Sequence, residues 1–549
     1  MLETSVLIVG GGPVGMTLAI DLAWRGIDVI MLELRRAGEP PNVKCNQVSA
    51  RSMEVFRRLG VSPKLRQAGL PADYSNDVVS ATTVTGIELS RLSLPSRAAR
   101  QAGAQAPDSW WPTPEPSYRI NQTYFEPILY AHAALQPRIR ILNRTAFEEF
   151  TQDEDGVVAQ VRDLDSNERI SIASKYLVGC DGSKSIVRKQ IGGDFVGTPE
   201  IQRVQSTYIH APALMGMLPG KPAWMYFSLN PRRCGTTISI DGKNNWNIHN
   251  FLYSGEPDYD SIDRDWSIRS ILGVGPDFHY DVISKEDWMG RRLVSDTFSD
   301  RRVFICGDAA HLWIPAAGYG MNAGIADAAN LSWQIAAVLH GWASPEILKA
   351  YVSERQPITD QASHLITDVA RRVMKQRREV PAEVEEPGPA GDAVRARIGA
   401  EAHAIDVQQQ CAAGLNFGYF YENSPIIAYD GEAHPDYKIH EFTSSTVPGC
   451  RLPHMWLSPG RSLYDALGTG YTLIRRDPSL SVAGLRDAAA QRGVPLAVLD
   501  VDPDEPQVQS HYGHKLLLVR PDQHVAWRGD VPPHAPLELI DLVRGAAHN

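Results

Sequence analysis

The run VFICGDAAHLWIPAAGYGMNAGIADAANLSWQI, residues 303–335, decides how the rest of the chain is read. Residues 303–306 are an apolar run of strand length that stops at Gly307. Asp308 follows at the strand-to-loop corner. Pro315, Gly318 and Gly320 then hold a bent loop, and from about Asn322 a helical spacing takes over through Ile325, Ala328, Ala329, Leu331 and Ile335. Strand, acid, glycine loop and helix start together make a holder for a charged, flat cofactor. The carboxylate accepts hydrogen bonds from sugar hydroxyls, and the helix start offers free N–H groups and the positive end of a dipole. An ordinary βα turn with an incidental aspartate has the same local pattern, so the two other ends of the chain must arbitrate.

At the N-terminus, residues 6–9 (VLIV) run into Gly10, Gly11, Gly12, Pro13, Val14 and Gly15, then into a helical stretch at 16–25 closed by Gly26. A second strand, 28–32, ends at Glu33, followed by Leu34 and Arg35. Gly10 makes the turn, Gly12 lets the backbone approach a pyrophosphate, and Gly15 lets helix and strand pack closely. Glu33 takes both hydroxyls of an adenosine ribose. An acid at that place disfavours a 2′-phosphate, so FAD or NAD fits the fold and NADP does not.

The chain has 549 residues, enough for about three domains. A formal charge of −10 excludes the basic signature of a nucleic-acid or anionic-membrane partner. No apolar run reaches membrane-spanning length, and a strand starts almost at once, so neither a membrane span nor a signal peptide is expected. The 6 cysteines are widely spaced, with no metal-ligand cluster, which fits a reducing cytoplasm.

Three further stretches carry chemistry. In KCNQVSARSMEVFRRLG (44–60), Ser49 is set to cap a helix that Gly60 closes. Arg51 sits in its first turn, where the dipole disfavours a cation; either an anion answers it or solvent does. Tyr118, Arg119, Ile120, Asn121 and Gln122 lead into a helix, and KYLVGCDGSKSIVR (175–188) is an apolar strand running into Asp181-Gly182 and a helix start.

Taken together, these motifs resemble the class A flavoprotein monooxygenases, the FAD-dependent aromatic hydroxylases that include para-hydroxybenzoate hydroxylase and phenol hydroxylase. The resemblance spans nearly the whole chain. It rests on the glycine motif at 10–15, on Asp181-Gly182 with Arg188, and on Gly307-Asp308. Beside these stand Arg51, Gln122, the 315–324 loop and Leu348, Tyr351, Glu354, Arg355 and Pro357. It implies an α/β fold: a Rossmann-like FAD-binding domain (1–76, 105–195 and 290–378), an inserted β-sheet substrate domain (77–104 and 196–289), a linker and helix (379–412) and a thioredoxin-like domain (413–549). It also implies that Gly10, Gly12, Pro13, Gly15, Glu33, Leu34 and Arg35 hold the ADP half of FAD. Arg51 and Gln122 lie along the flavin and its pyrophosphate, Gly307 and Asp308 bind the ribityl chain, and Asp181 and Gly182 serve both FAD and a transient NADH or NADPH donor. The loop residues Pro315, Gly318, Gly320, Met321 and Asn322 would bring a helix N-terminus to the flavin edge. The family loop carries a glycine where this chain has Ala317, a departure that bears on the local turn and not on the cofactor.

The activity so implied is hydroxylation of a phenolic compound with NAD(P)H and O2, through oxygen addition at flavin C4a, by a homodimer. Oxygenation of a large polycyclic natural product is the alternative, and a flavin-binding protein without turnover is a weaker one. Residues 196–290 alternate like strands. Tyr208 and His210 are expected on one strand face, as are Trp224 and Tyr226, and Asn247 and His249. Trp224, Tyr226, Pro315, Ala316 and Ala317 are the expected pocket wall. Some phenol-hydroxylating relatives carry an acid or histidine where this chain has Asn46, which cannot take a proton. His210 is therefore the first candidate base, ahead of Tyr208 and His249, with Lys44 a candidate for a phenolate or carboxylate. The far end reads strand, helix, strand, strand, strand, helix between 471 and 543. It lacks redox cysteines, so disulfide exchange is excluded and a structural or dimer-stabilising role expected.

Overall fold

A computed structural model describes residues 1–502 and 505–547. Its first sheet is built on Leu2–Val9, flanked in parallel by Val29–Glu33 and Arg169–Gly179; Val303–Ile305 pairs in parallel on the far side of Arg169–Gly179. Ile139–Asn143 extends the sheet beyond Val29–Glu33. Helices cover a parallel sheet, which is why these strands read as unbroken apolar runs. Register is the decisive fact. Val9 stands opposite both Leu32 and Gly179, and Gly179 opposite Ile305. Three loops far apart in sequence therefore leave the sheet side by side.

The second sheet has 9 strands. Phe195–His210, Asn245–Phe251, Gly235–Ser239 and Met225–Ser228 form its centre, and Val78–Ala81 joins in parallel to Met225–Ser228. One face is sealed. Ile209, Tyr226, Trp246 and Ile248 pack there against Ile268, Ile271 and Leu272 of the helix Arg264–Leu272. On the other face Tyr208, Met225, Phe227, His249 and Phe251 are only half-buried.

The helix Lys349–Arg378 leads to a short turn at Ala382–Glu385 and the helix Pro389–Gln410. The last sheet runs Leu496–Asp500, Tyr471–Arg475, Leu516–Val519, Val525–Gly529, the first pair parallel and the others antiparallel, with the helices Ala483–Gln491 and Pro536–Val543. That is the thioredoxin-like order. Alternation splits its strands: Tyr471, Leu473, Leu516 and Leu518 join the core of the first sheet, while Ile474, Leu517 and Val519 face a small core of their own. Tyr471 meets Trp333 edge-on at 6.1 Å. No helix among the described residues is long and apolar enough to cross a membrane.

Candidate functional site

Where the three loops leave the first sheet, they interlock through positions that cannot hold a side chain. A methyl on Gly10 (φ +108) would lie 2.3 Å from the Cys180 carbonyl oxygen, and one on Gly324 would lie 2.8 Å from Gly307 Cα. Gly15 is as tight against Gly10. Gly12 has no heavy atom within 4 Å of its missing Cβ, the open approach a pyrophosphate needs, and Pro13 begins the helix Pro13–Trp24 there.

Glu33 lies against Gly11 and accepts from the Arg35 backbone N–H at 2.8 Å and from its guanidinium at 3.1 Å. Arg35 also meets Glu126 at 2.5 Å, and Gln122 donates to the same carboxylate at 2.6 Å. These contacts fix the acid at the strand end. Leu34 is largely exposed and stands outside the network.

Asp308 accepts no hydrogen bond among the described residues. Its side chain is accessible yet lies deep in the protein, as befits a carboxylate facing a cleft. The surrounding protein raises its pKa, against the pull of His311 and Lys44. Beneath it is a group of residues the sequence did not reveal. Asp327 accepts from the Gly307 N–H at 3.2 Å, and meets His311 Nε2 at 2.7 Å and Arg355 Nε at 2.8 Å. Burial raises the Asp327 pKa, but His311 and Arg355 outweigh it and hold the carboxyl at about 2. Arg355 falls within the family-like segment 348–357; its partner, 28 residues away, is not signalled by spacing.

Asp181 closes its own turn, accepting from Ser185 Oγ at 2.5 Å and from the Ile186 N–H at 2.7 Å. Gly182 (φ +76) follows, and Arg188 donates to the Ala309 carbonyl at 3.1 Å, tying this loop to the next. In the 315–322 loop, Ala316–Gly318 is a tight turn, and Ala317 has φ 62, the conformation glycine favours. Alanine in place of glycine there leaves a local strain. The helix Gly320–Leu339 starts there; its first bond runs from the Ala323 N–H to Tyr319 O, so the amides of Gly320, Met321 and Asn322 have no backbone partner among the described residues. The Asn322 side chain is used otherwise, accepting from the Ser49 N–H at 2.9 Å and donating to Gly318 O at 2.8 Å.

Arg51 departs from its expected place along the pyrophosphate. Its guanidinium turns to Glu54 at 2.8 Å, to the Asp522 carbonyl at 2.8 Å and to the Gln523 side chain, in the interface with the C-terminal domain. Glu54 is the anion that answers a cation in a helix's first turn, and Arg451 reaches the same carboxylate.

The second sheet presents its half-open face as the pocket wall. Tyr208 pairs with Asn247, His210 with Asn245 and Ser206 with His249, so these side chains share that face. The expectation that Trp224 and Tyr226 share one face fails, because Tyr226 leaves it. Tyr226 pairs with Thr237 and points to the sealed face, its hydroxyl accepting from the Ala223 N–H at 2.8 Å. Trp224 precedes the strand, where alternation has no hold; it is buried in one cluster with Tyr208, Met225 and Phe227, with the Arg119 guanidinium 5.1 Å from its ring centroid. Met225, Phe227 and Phe251 are the apolar residues that face the opening instead.

Among candidate bases, His249 is pushed down to about 4 by burial and Arg377, and the Asn247 amide lies 3.1 Å from its Nε2. His210 Nδ1 lies 3.0 Å from Asn245 Oδ1, and the Asn245 amide donates to Asp241 at 2.8 Å. Asn46 accepts from Asn121 at 2.5 Å and donates to Lys44 O at 3.1 Å, a structural tie between this loop and the start of the helix Gln122–Ala134. Lys44 is exposed beside Asp308, on a loop joined to the sheet through Val43: its N–H donates to Glu286 and its carbonyl accepts from Asn247.

The donor set fits FAD: a glycine cradle, an acid at the ribose position, a second acid facing the cleft and a helix N-terminus beside it. Comparisons agree. Residues 3–365 match the FAD binding domain family and 445–544 the aromatic-ring hydroxylase C-terminal family. Phenol 2-monooxygenase of Pseudomonas sp. (strain EST1001) is 30% identical, with 99% of this chain and 93% of that protein covered. Tetracenomycin B2 monooxygenase-dioxygenase of Streptomyces olivaceus is 29% identical over 99% of this chain and 98% of its own. Chromopyrrolic acid-soaked RebC with bound 7-carboxy-K252c superposes with a TM-score of 0.90 at 33% identity, over 100% of both chains. With one family spanning more than half its length and the three loops it requires meeting at one sheet edge, this chain belongs to the FAD-dependent aromatic-ring hydroxylases, the class A flavoprotein monooxygenases.

Proposed function

We propose that this protein hydroxylates a phenolic aromatic compound with O2 and an NADH or NADPH donor. The observation that carries the reading is the half-open sheet face of Tyr208, Met225, Phe227, His249 and Phe251, joined through Val43 to the loop beside Asp308. Hydride uptake and oxygen activation are what FAD supplies when bound. The chain's own residues do the rest. Glu33 and Asp308 accept from sugar hydroxyls, and the free amides at 320–322 stabilise negative charge beside them. Met225, Phe227 and Phe251 exclude water from the reacting ring. His210 is the candidate base. Asn245 Oδ1 can only accept, so Nδ1 carries the proton and Nε2 is left to receive one from the phenol. Tyr208 stands on the same face to orient that hydroxyl.

The likeness to RebC and to the tetracenomycin enzyme supports a second reading, oxygenation of a polycyclic natural product. A homodimer belongs to either reading and is checked by sedimentation. The deciding experiment gives the purified yellow protein a panel of simple phenols and polycyclic hydroxyaromatics, scoring accelerated NAD(P)H oxidation and one added oxygen atom. A tightly bound flavin that no donor reduces would refute both readings in favour of a flavin-binding protein without turnover.

A further inference from the structure

Ile366, Ala370, Val373 and Arg377 lie three or four residues apart, on one stripe of the helix Lys349–Arg378. Its upper part packs with Ile314, Ala316 and Ala317, at the loop before the flavin-facing helix. Arg377 carries the stripe onward over the open face of the second sheet. Its guanidinium sits 3.7 Å from the Phe251 ring centroid and 5.8 Å from that of Phe227. Among the described residues its side chain makes one hydrogen bond, to Thr236 Oγ1 at 3.4 Å, and no carboxylate reaches it at salt-bridge distance.

Several other buried cations have a carboxylate partner: Arg51 with Glu54, Arg233 with Glu256, Arg355 with Asp327 and Arg520 with Glu354; among the described residues Arg119 and Arg188 share the lack of one, but Arg188 is met by backbone carbonyls and Arg119 lies over the Trp224 ring. A buried cation without a counter-ion is costly unless a ligand completes it. Burial lowers the Arg377 pKa to about 10, opposed by Cys234, Tyr253 and Asp406, so it stays charged at neutral pH. Its neighbours Phe227, His249 and Phe251 are half-buried, which puts the guanidinium at the border of the opening.

We propose that Arg377 anchors a carboxylate of the aromatic substrate, and that the substrate is accordingly an elongated aromatic acid. This rests on the reading of the open sheet face as the substrate site. From Ala370, packed at the 316–317 turn, to Arg377 the helix rises roughly 10 Å, the length of several fused rings and beyond the reach of a simple phenol. The rings of Phe251 and Phe227 hold the guanidinium plane, leaving its N–H edge for a two-point acceptor.

The test is binding to the FAD-loaded protein, followed by perturbation of the flavin spectrum with no donor present. The probes are anthraquinone-2-carboxylate and anthraquinone-2-carboxamide. The native protein is expected to bind the carboxylate at least about tenfold more tightly than the amide. Arg377→Gln should erase that preference, and Arg377→Lys should keep part of it. Arg119→Gln, which removes another buried guanidinium without a salt-bridge partner among the described residues, should keep it whole. Equal affinity of the native protein for both probes, no binding of either, or a preference that survives Arg377→Gln overturns the proposal, as does a preference lost only in Arg119→Gln. The native comparison and Arg377→Lys decide the matter if Arg377→Gln does not fold. Because no turnover is read, a protein that prefers the acid but never oxygenates anything would uphold this anchor while refuting the hydroxylase reading.

Discussion

Replacing Asp327 by asparagine is expected to loosen the Gly307–Asp308 turn and with it the hold on FAD. Asp327 is fully buried and its two oxygens serve three donors: the Gly307 N–H, His311 Nε2 and Arg355 Nε. An asparagine keeps one acceptor and adds an N–H facing Arg355, whose side chain is 3% exposed. Leaving that cation buried and unpaired costs about 3 to 5 kcal/mol. The native carboxyl, moved from an ordinary 3.8 to about 2, contributes about 2 kcal/mol from its ionisation alone. Because the folded value lies below the unfolded one, that contribution is complete above about pH 4 and is lost as the pH falls through about 2. Flavin absorbance per chain after dialysis, together with a denaturant midpoint at pH 7, measures both effects. Flavin content should fall at least about tenfold in affinity terms, each 1.4 kcal/mol being a factor of ten. Removing Arg355 as well, as Asp327→Asn with Arg355→Met, should recover part of the loss, because no orphan charge remains. Wild-type flavin retention and midpoint in the single variant would refute the role given to this triad.

Asp308→Ala should weaken FAD retention with little change in the fold, since no protein group bonds this carboxylate among the described residues; unchanged flavin content would count against it. His210→Ala should raise hydrogen peroxide at the expense of hydroxylated product, and an unaltered product yield would remove it as the base. Ala317→Gly relieves a left-handed alanine and is expected to raise stability by up to about 1 kcal/mol with flavin content unchanged. A drop in the denaturant midpoint would show that the loop does not carry that strain.

Residues 10–15, Glu33, Asp181-Gly182 and Gly307-Asp308 were legible in the sequence because each is a contiguous strand-to-loop motif, whose chemistry is set by neighbours in the chain. The order of strands and helices in the last 80 or so residues was legible for the same reason, alternation and turns being local. Tertiary structure alone decided which motifs meet, through the register that puts Val9, Gly179 and Ile305 at one edge. It also decided which face of the second sheet is open, and so turned Tyr226 away while Met225 and Phe227 took its place. Spacing gives a residue's parity but not what covers either side. Apart from Glu54, one helical turn from Arg51, the partners of Arg51, Asp327 and Arg377 lie tens to hundreds of residues away, and a buried charge takes its meaning from whatever packing brings to it.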